Sequence, residues 1–274
     1  MFANGHVQRH CITDGVGNVI FNGRSISVGK AKGEVIKLDE PLSFLGGVDG
    51  STGELRVREG NVAGKILVFP KGKGSTVGSF VMYDLMVHGK APAAVINESA
   101  ETIVATGAVI SSIPMVDMIP SVRLFEDGDM VTVDGNAGTV EIEDIVFKEV
   151  VSSVVSNGER CILEKRFDTS HSYPGCWSLV AGKIEKGETP IESAKREILE
   201  ETGIKVGEPL GTMDPLYVRE GKVLFKVYPF HFDSNSQEPI LNEENEKYTW
   251  ASIEDAEKLK TVSDTVLVMK TFLK

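Results

Sequence analysis

The chain has 274 residues, 41% of them hydrophobic and 25% charged, with a formal net charge of −11. That length exceeds the roughly 100–200 residues of one domain, so two are expected, and the composition is that of an ordinary globular protein. The acidic balance disfavours a nucleic-acid partner, whose phosphates it would repel, and no stretch approaches the ~18 consecutive apolar residues of a membrane span.

The opening residues, MFANGHVQRH, lack the apolar region of a signal peptide, which makes the cytoplasm the expected location. Cys11, Cys161 and Cys176 are far apart and form no C-x-x-C, so reduced structural thiols are expected rather than disulfides or iron–sulfur ligands. Twenty of the 28 glycines precede residue 150, so the first half, residues 1–147, should be rich in tight turns. Short extended candidates there are Gly33–Asp39, Lys65–Phe69, Ala93–Asn97 and Met130–Val133, and Asp134-Gly135 signals a hairpin into Thr139–Ile142. Helical spacing runs from about Val77 to His88, with Val77, Val81 and Leu85 on its apolar face and Gly89 as its stop. The strand Lys65–Phe69, this helix and the strand Ala93–Asn97 predict a βαβ unit.

Between the first of those strands and the helix lies FPKGKGSTVGSF, Phe69–Phe80. Glycines and small hydroxyl residues ahead of a helix N-terminus leave backbone N–H groups that favour an anion. Lys71 and Lys73 add positive charge there, and Gly74, Ser75 and Thr76 complete the candidate binding loop. The G-x-x-x-x-G-K-[ST] order of a Walker A loop is absent, and a serine or threonine that merely caps the helix fits the same residues.

The run FPKGKGSTVGSFVMYDL, followed by GKAPAAVI and GAVISSIPMVD, resembles the small subunit of the aconitase X family, whose archaeal members resemble phosphomevalonate dehydratase, an enzyme of isoprenoid synthesis. The resemblance covers most of residues 5–145. It implies a swivelling β/β/α domain with Ser75 as catalytic base and the loop residues Lys71, Lys73, Gly74 and Thr76 around the substrate. It also implies a partner: the family's iron–sulfur cluster is held by a large subunit, without which this half is inert. An unassisted hydroxyl is a poor base near neutral pH, so Ser75 needs a lowered pKa or a proton relay, for which the helix N-terminus and Lys71 or Lys73 are at hand.

The second half, residues 148–274, begins near Ile145–Val151, where an acidic hairpin gives way to the alternating run VVSSVVSNGERCILEKR. That run predicts a strand, a turn at Asn157-Gly158 and a second strand, Cys161–Lys165. Trp177 and Leu179 are expected in the core or a pocket wall. Strands are expected at Lys222–Phe232 and Lys247–Trp250, and helices at Ile253–Lys260 and Asp264–Phe272.

The most informative stretch is GKIEKGETPIESAKREILEETGI, Gly182–Ile204. Thr189 can cap a helix, Pro190 suits its first position, Glu192 completes a capping box, and Gly203 ends it. Ile191, Ala194 and Ile198 make one apolar face, whereas Glu197, Glu200 and Glu201 gather on another. Like charges at that spacing cost about 0.2–0.5 kcal/mol per pair, and a helix C-terminus is unfavourable for anions by roughly 0.3–1 kcal/mol each. A hard divalent cation would turn this cost into a binding site; a solvated acidic helix end is the alternative.

Gly182, Glu188, Arg196, Glu197, Ile198, Glu200, Glu201, Gly203 and Ile204 reproduce the spacing G-x5-E-x7-R-E-I-x-E-E-x-G-I, which resembles the signature of the Nudix hydrolase family. The resemblance implies an α/β fold, an α/β/α sandwich with a mixed sheet, that hydrolyses a nucleotide or other small pyrophosphate substrate. It implies Mg²⁺ (or Mn²⁺) held by Glu197, Glu200 and Glu201, with Glu188 and the carbonyl of Gly182 completing the shell and Arg196 orienting the cluster. The general base stays open between Glu200, Glu201 and a glutamate of the loop Asn242–Glu246 (Glu243, Glu244 or Glu246), a loop that also reads as a solvated turn. The whole chain then reads as a fusion of a dehydratase small-subunit domain with a hydrolase. Two alternatives are a Nudix half that senses a nucleotide and regulates the dehydratase, and a first half that serves as a non-catalytic module for homo-oligomerisation.

Overall fold

The computed structural model describes residues 16–170, 172–235, 237–243 and 245–273. Its contacts divide the chain into two compact units: the first runs to Phe147 and includes Arg219–Leu224, and the second holds Lys148–Val218 and the chain from Phe225 on.

In the first unit, strands β1 (Val16–Asn22), β2 (Arg24–Ser27) and β3 (Lys30–Lys37) lead to a short helical turn, α1 (Phe44–Gly47). Then come β4 (Ile66–Phe69), α2 (Gly78–Val87), β5 (Ala94–Asn97), α3 (Thr102–Ile110), β6 (Met115–Asp117), a 3-10 turn at Val122–Leu124, and β7 (Met130–Asp134). The predicted βαβ unit is present, for β4 and β5 pair in parallel across α2. β3 extends this parallel array on one side and β6 on the other, where antiparallel β2 closes the edge. Only Val35–Lys37 of β3 pairs with β4; its first half, Lys30–Glu34, pairs antiparallel with β7 in a second sheet. One strand thereby serves two sheets, and the helices cover one of them, giving the expected β/β/α layering.

Strands β4, β5 and β6 are buried along their whole length, the mark of a parallel sheet covered on both faces. Leu67, Phe69, Val95 and Met115 pack against Met82 and Leu85 of α2 and Val104 and Ala108 of α3. A side chain at Gly107 would stand 2.5 Å from the sulfur of Met82, so glycine lets α2 and α3 approach. The face of α2 differs from the expected one. Gly78, Met82 and Leu85 are buried, whereas Val77 is exposed and Val81 only half-buried. Counting from Val77 caught one residue of the buried face, because the position of α3, not the local pattern, selects it.

The hairpin strand expected to end at Ile142 does not end there. β8 (Thr139–Asn157) is a single strand of 19 residues, and the division between the units falls within it. The change of composition near Ile145–Val151 alters what the side chains face without breaking the backbone.

The chain continues with β9 (Arg160–Arg166), β10 (Trp177–Ser178), β11 (Val180–Lys183), α4 (Pro190–Thr202), β12 (Gly211–Thr212), β13 (Leu216–Glu220), β14 (Val223–Asp233), β15 (Asn245–Ala251), α5 (Ile253–Glu257) and α6 (Thr265–Phe272), all in the second unit but for Arg219–Leu224. β11 lies antiparallel to Val150–Ser153 of β8, and β9 pairs with both β10 and β15. Alternation along these strands feeds two cores. Val151, Val155 and Ile162 meet Ala194 and Ile198 of α4; Val154, Cys161 and Leu163 meet Ala256, Val268 and Met269 of α5 and α6. Helices on both faces of the sheet make the α/β/α sandwich. Cys161 and Cys176 are buried free thiols, and burial pushes the Cys161 pKa up to about 12; Cys11 lies outside the described residues. Among the described residues no helix is long and apolar enough to cross a membrane.

Candidate functional site

Helix α4 begins as its sequence dictates. Thr189 Oγ1 accepts from Glu192 N–H, and Glu192 Oε2 accepts from Thr189 N–H at 2.8 Å, closing the capping box. Gly203 ends the helix in the left-handed region (φ 70°), and its N–H bonds to Leu199 O at 2.9 Å. Ala194 and Ile198 lie in the core with Ile191 packed beside them.

The charged face is organised by Arg196. Its guanidinium donates to Glu188 Oε1 at 2.7 Å and Oε2 at 3.0 Å, to Glu197 Oε1 at 2.8 Å, to Glu200 Oε2 at 3.0 Å and to the carbonyl of Lys183 at 3.0 Å. Those bonds raise the Arg196 pKa, and the same guanidinium, with the Glu185 N–H, brings Glu188 down to about 2. Glu197 is also pressed against the loop. A Cβ at Gly182 would stand 1.8 Å from its carboxyl carbon, so only glycine fits there.

Glu201 goes elsewhere. It is buried, accepts from Ala181 N–H at 3.3 Å, and faces Glu164 of β9. Burial first, and the adjacent Glu164 carboxylate second, push its pKa far above the carboxylate range. Glu164 is itself buried and accepts from Asn245 Nδ2 at 3.2 Å. Glu197 also lies near enough to add to the upward shift of Glu201. Among the described residues no three acidic or metal-binding side chains stand together as a ready cage; the guanidinium pairs with Glu197 and Glu200, and Glu201 is buried beside them.

These donors fit a hard divalent ion. All are oxygens, as Mg²⁺ prefers, and two carboxylates sharing one buried place need a proton or a cation between them. The loop Asn242–Glu246 is tied to the end of α4 by Asn242 N–H to Glu201 O at 3.2 Å. Within it Glu246 pairs with Lys165 at 2.6 Å, Glu243 is exposed, and Glu244 lies outside the described residues. A cavity of about 310 Å³ opens beside the glycine loop; Gly182 and Lys183 share its wall with Leu216, Phe225, Val227 and Asp264. Leu179 lines this cavity, and half-buried Trp177 packs against the core on the α5 and α6 side, so each lies where the sequence placed it, in core or pocket wall.

The loop of the first unit is held by its backbone. Leu42 N–H bonds to Lys71 O at 3.1 Å and Lys73 N–H to Leu42 O at 3.0 Å. Gly74 has φ 106°, and a Cβ there would stand 2.7 Å from Ser43 Oγ, so this position too requires glycine. Lys71, Lys73, Gly74, Ser75 and Thr76 are all exposed. Ser75 is not the helix cap. Residue Val77 holds that place without a side-chain bond, while Ser75 Oγ accepts from Val77 N–H at 3.3 Å and Ser75 O from Gly78 N–H at 2.8 Å.

Residues 20–142 match the family model described as the aconitase X swivel domain. The phosphomevalonate dehydratase small subunit of Thermococcus onnurineus is 54% identical over 127 residues, 44% of this chain and 97% of that protein. The counterpart from Thermococcus kodakarensis is 58% identical over 125 residues, 44% of this chain and 93% of that protein. The chain belongs to the phosphomevalonate dehydratase small-subunit family. That membership rests on the first half; residues 146–271 match the NUDIX domain. A solved structure of a MutT protein from Methanosarcina mazei is similar to this part, with 24% identity over 46% of this chain and 92% of that one and a TM-score of 0.40.

In this small-subunit-like chain with a NUDIX half, the structure brings Glu188, Arg196, Glu197 and Glu200 together and puts Glu201 with a residue the sequence did not single out, Glu164. The available signal was an acid directly after the buried run Cys161-Ile162-Leu163, where a strand covered on both faces has no place for an unpartnered charge.

Proposed function

We propose that the NUDIX half, residues 148–274, is a Mg²⁺-dependent (or Mn²⁺-dependent) hydrolase of a nucleoside diphosphate-linked or related pyrophosphate. The observation that carries this reading is the buried pair Glu201 and Glu164 beside the glycine loop, next to carboxylates that Arg196 holds in place. Glu197, Glu200 and Glu201, with Glu188 and the Gly182 carbonyl, would hold the ion. When bound, it supplies Lewis acidity and a lowered pKa for water. The chain's own residues do the positioning. Arg196 fixes Glu197 and Glu200 against the loop, Ala181 N–H orients Glu201, and the cavity beside Gly182 and Lys183 takes the rest of the substrate. Glu200 or Glu201 serves as the base. Formation of a nucleoside monophosphate from a panel of nucleoside diphosphate derivatives with and without Mg²⁺ is the test; binding without turnover across the panel would favour the sensor reading.

The swivel half, residues 1–147, is proposed to complete a cytoplasmic dehydratase in which an iron–sulfur large subunit binds a phosphorylated hydroxy acid such as phosphomevalonate and Ser75 serves as base. Lys71, Lys73, Gly74 and Thr76 would line the phosphate side of that substrate. The support is the near-complete cover of the small-subunit relatives together with the exposure of Lys71 and of Lys73–Thr76. Co-purification with the large subunit, followed by a dehydration assay of wild type and Ser75→Ala, tests it. A complex that dehydrates at the wild-type rate without Ser75 would favour the oligomerisation module.

A further inference from the structure

Helix α2 is apolar on two opposite sides. At 100° per residue, Gly78, Met82 and Leu85 fall together and are buried against α3 and the sheet. Phe80, Tyr83 and Val87 fall on the other side and are 67%, 45% and 59% exposed. A helix that is apolar all round belongs between two packed layers, and among the described residues only one layer is present. The exposed stripe starts where the Ser75 loop ends. Exposed Val77 joins the two, and exposed Leu45 follows Ser43, which a Cβ at Gly74 would meet at 2.7 Å, and Phe44, which one at Gly78 would meet at 3.6 Å.

We infer that this outer face of α2, Phe80, Tyr83 and Val87 with Val77 and Leu45, is the surface on which the large subunit docks, so that docking brings the partner's active site onto Ser75. The inference rests on the dehydratase reading above and adds the surface it requires. The occupant follows from two observations. The first unit spans 97% of a protein that is named as a small subunit, so the domain is a whole subunit whose counterpart is another chain. The stripe also adjoins the exposed loop that such a counterpart must cover. Clustered aromatic and aliphatic side chains around a site are what the core of a lasting interface presents, and they are out of place on a surface that stays in water.

The test uses the full chain and the dehydratase large subunit of the same organism, with affinity measured by calorimetry. Phe80→Asp and, separately, Val87→Asp should weaken binding by about 30-fold or more, while Phe80→Leu should bind as wild type does. The variants should keep the wild-type melting temperature and the wild-type rate of pyrophosphate-bond cleavage, since neither residue packs in a core. If wild type binds and both aspartate variants bind equally well, the docking face lies elsewhere and the dehydratase reading survives. Failure of wild type itself to bind would end that reading, and this inference with it. A wild-type dimer that Phe80→Asp converts to a monomer would assign the face to a second copy of this chain. A melting temperature lowered by several degrees in the aspartate variants would mean that a segment of the same chain already covers it. Either result would overturn the proposal.

Discussion

Helices α4 and α2 each follow a glycine loop that carries candidate site residues, yet they solve different problems. α4 is amphipathic: one side is core, and the other is a set of carboxylates gripped by its own arginine. α2 has core on one side and an apolar stripe on the other, with Ser75 in the turn before it bonded to backbone. The NUDIX arrangement therefore holds its polar groups within one domain, and on the proposed reading an ion and a substrate complete it. The swivel arrangement offers a loop and a surface, which on the proposed reading another protein completes.

The sharpest way to break that contrast is to cross the two proposed sites. In a complex with the large subunit, Ser75→Ala should lower dehydration by about 10²–10⁴-fold, the span of general-base catalysis, with pyrophosphate-bond cleavage unchanged. Glu201→Gln should do the reverse and cut pyrophosphate-bond cleavage at limiting Mg²⁺ by about 100-fold, at the upper end of what changes around a metal site cost. If either substitution lowers both activities equally, the sites are not independent. Gly182→Ala is a finer cut on the NUDIX side. The added methyl would overlap Glu197, so Mg²⁺ affinity measured by calorimetry should fall about 10–100-fold while Ser75-dependent dehydration stays intact.

The pH dependence of stability sharpens the comparison further. Burial raises the folded-state pKa of Glu201 above its ordinary value of 4.5. Below that value both folded and unfolded chains carry the proton; above it only the folded chain retains it, so its stabilising effect declines as the pH rises toward the folded pKa. Thermal melts without metal should therefore show the second unit losing stability from about pH 5 to pH 9, with Mg²⁺ restoring more of it at the alkaline end. Glu201→Gln should flatten that slope and leave the metal-free protein as stable as wild type or more so; an unchanged slope would remove Glu201 from the buried pair. The smallest effect is local: Thr189→Ala removes half of the capping box and should cost about 1 kcal/mol, read as a lower melting temperature of the same unit.

What the sequence by itself determined is what a few neighbouring residues can decide. The capping box at Thr189 and Glu192, the left-handed stop at Gly203 and the βαβ unit around α2 were legible because their hydrogen bonds close within about one turn or follow from side-chain period; the turn expected at Asn157-Gly158 lies one residue on, at Gly158-Glu159, with Asn157 still paired to Arg160. The spacing from Gly182 to Ile204 was legible for the same reason. Only the tertiary structure decided which residues complete these elements. Glu164 reaches Glu201 from a distant strand, and β8 runs unbroken through the change in composition. Arg196 joins Glu188, from the loop before the helix, to Glu197 and Glu200. On α2 both candidate faces are apolar, so local pattern could not choose between them; packing of α3 through Gly107 buried one and left Phe80, Tyr83 and Val87 outside. Hydrophobic burial is non-directional and follows whatever surface is adjacent, and adjacency is a property of the folded chain.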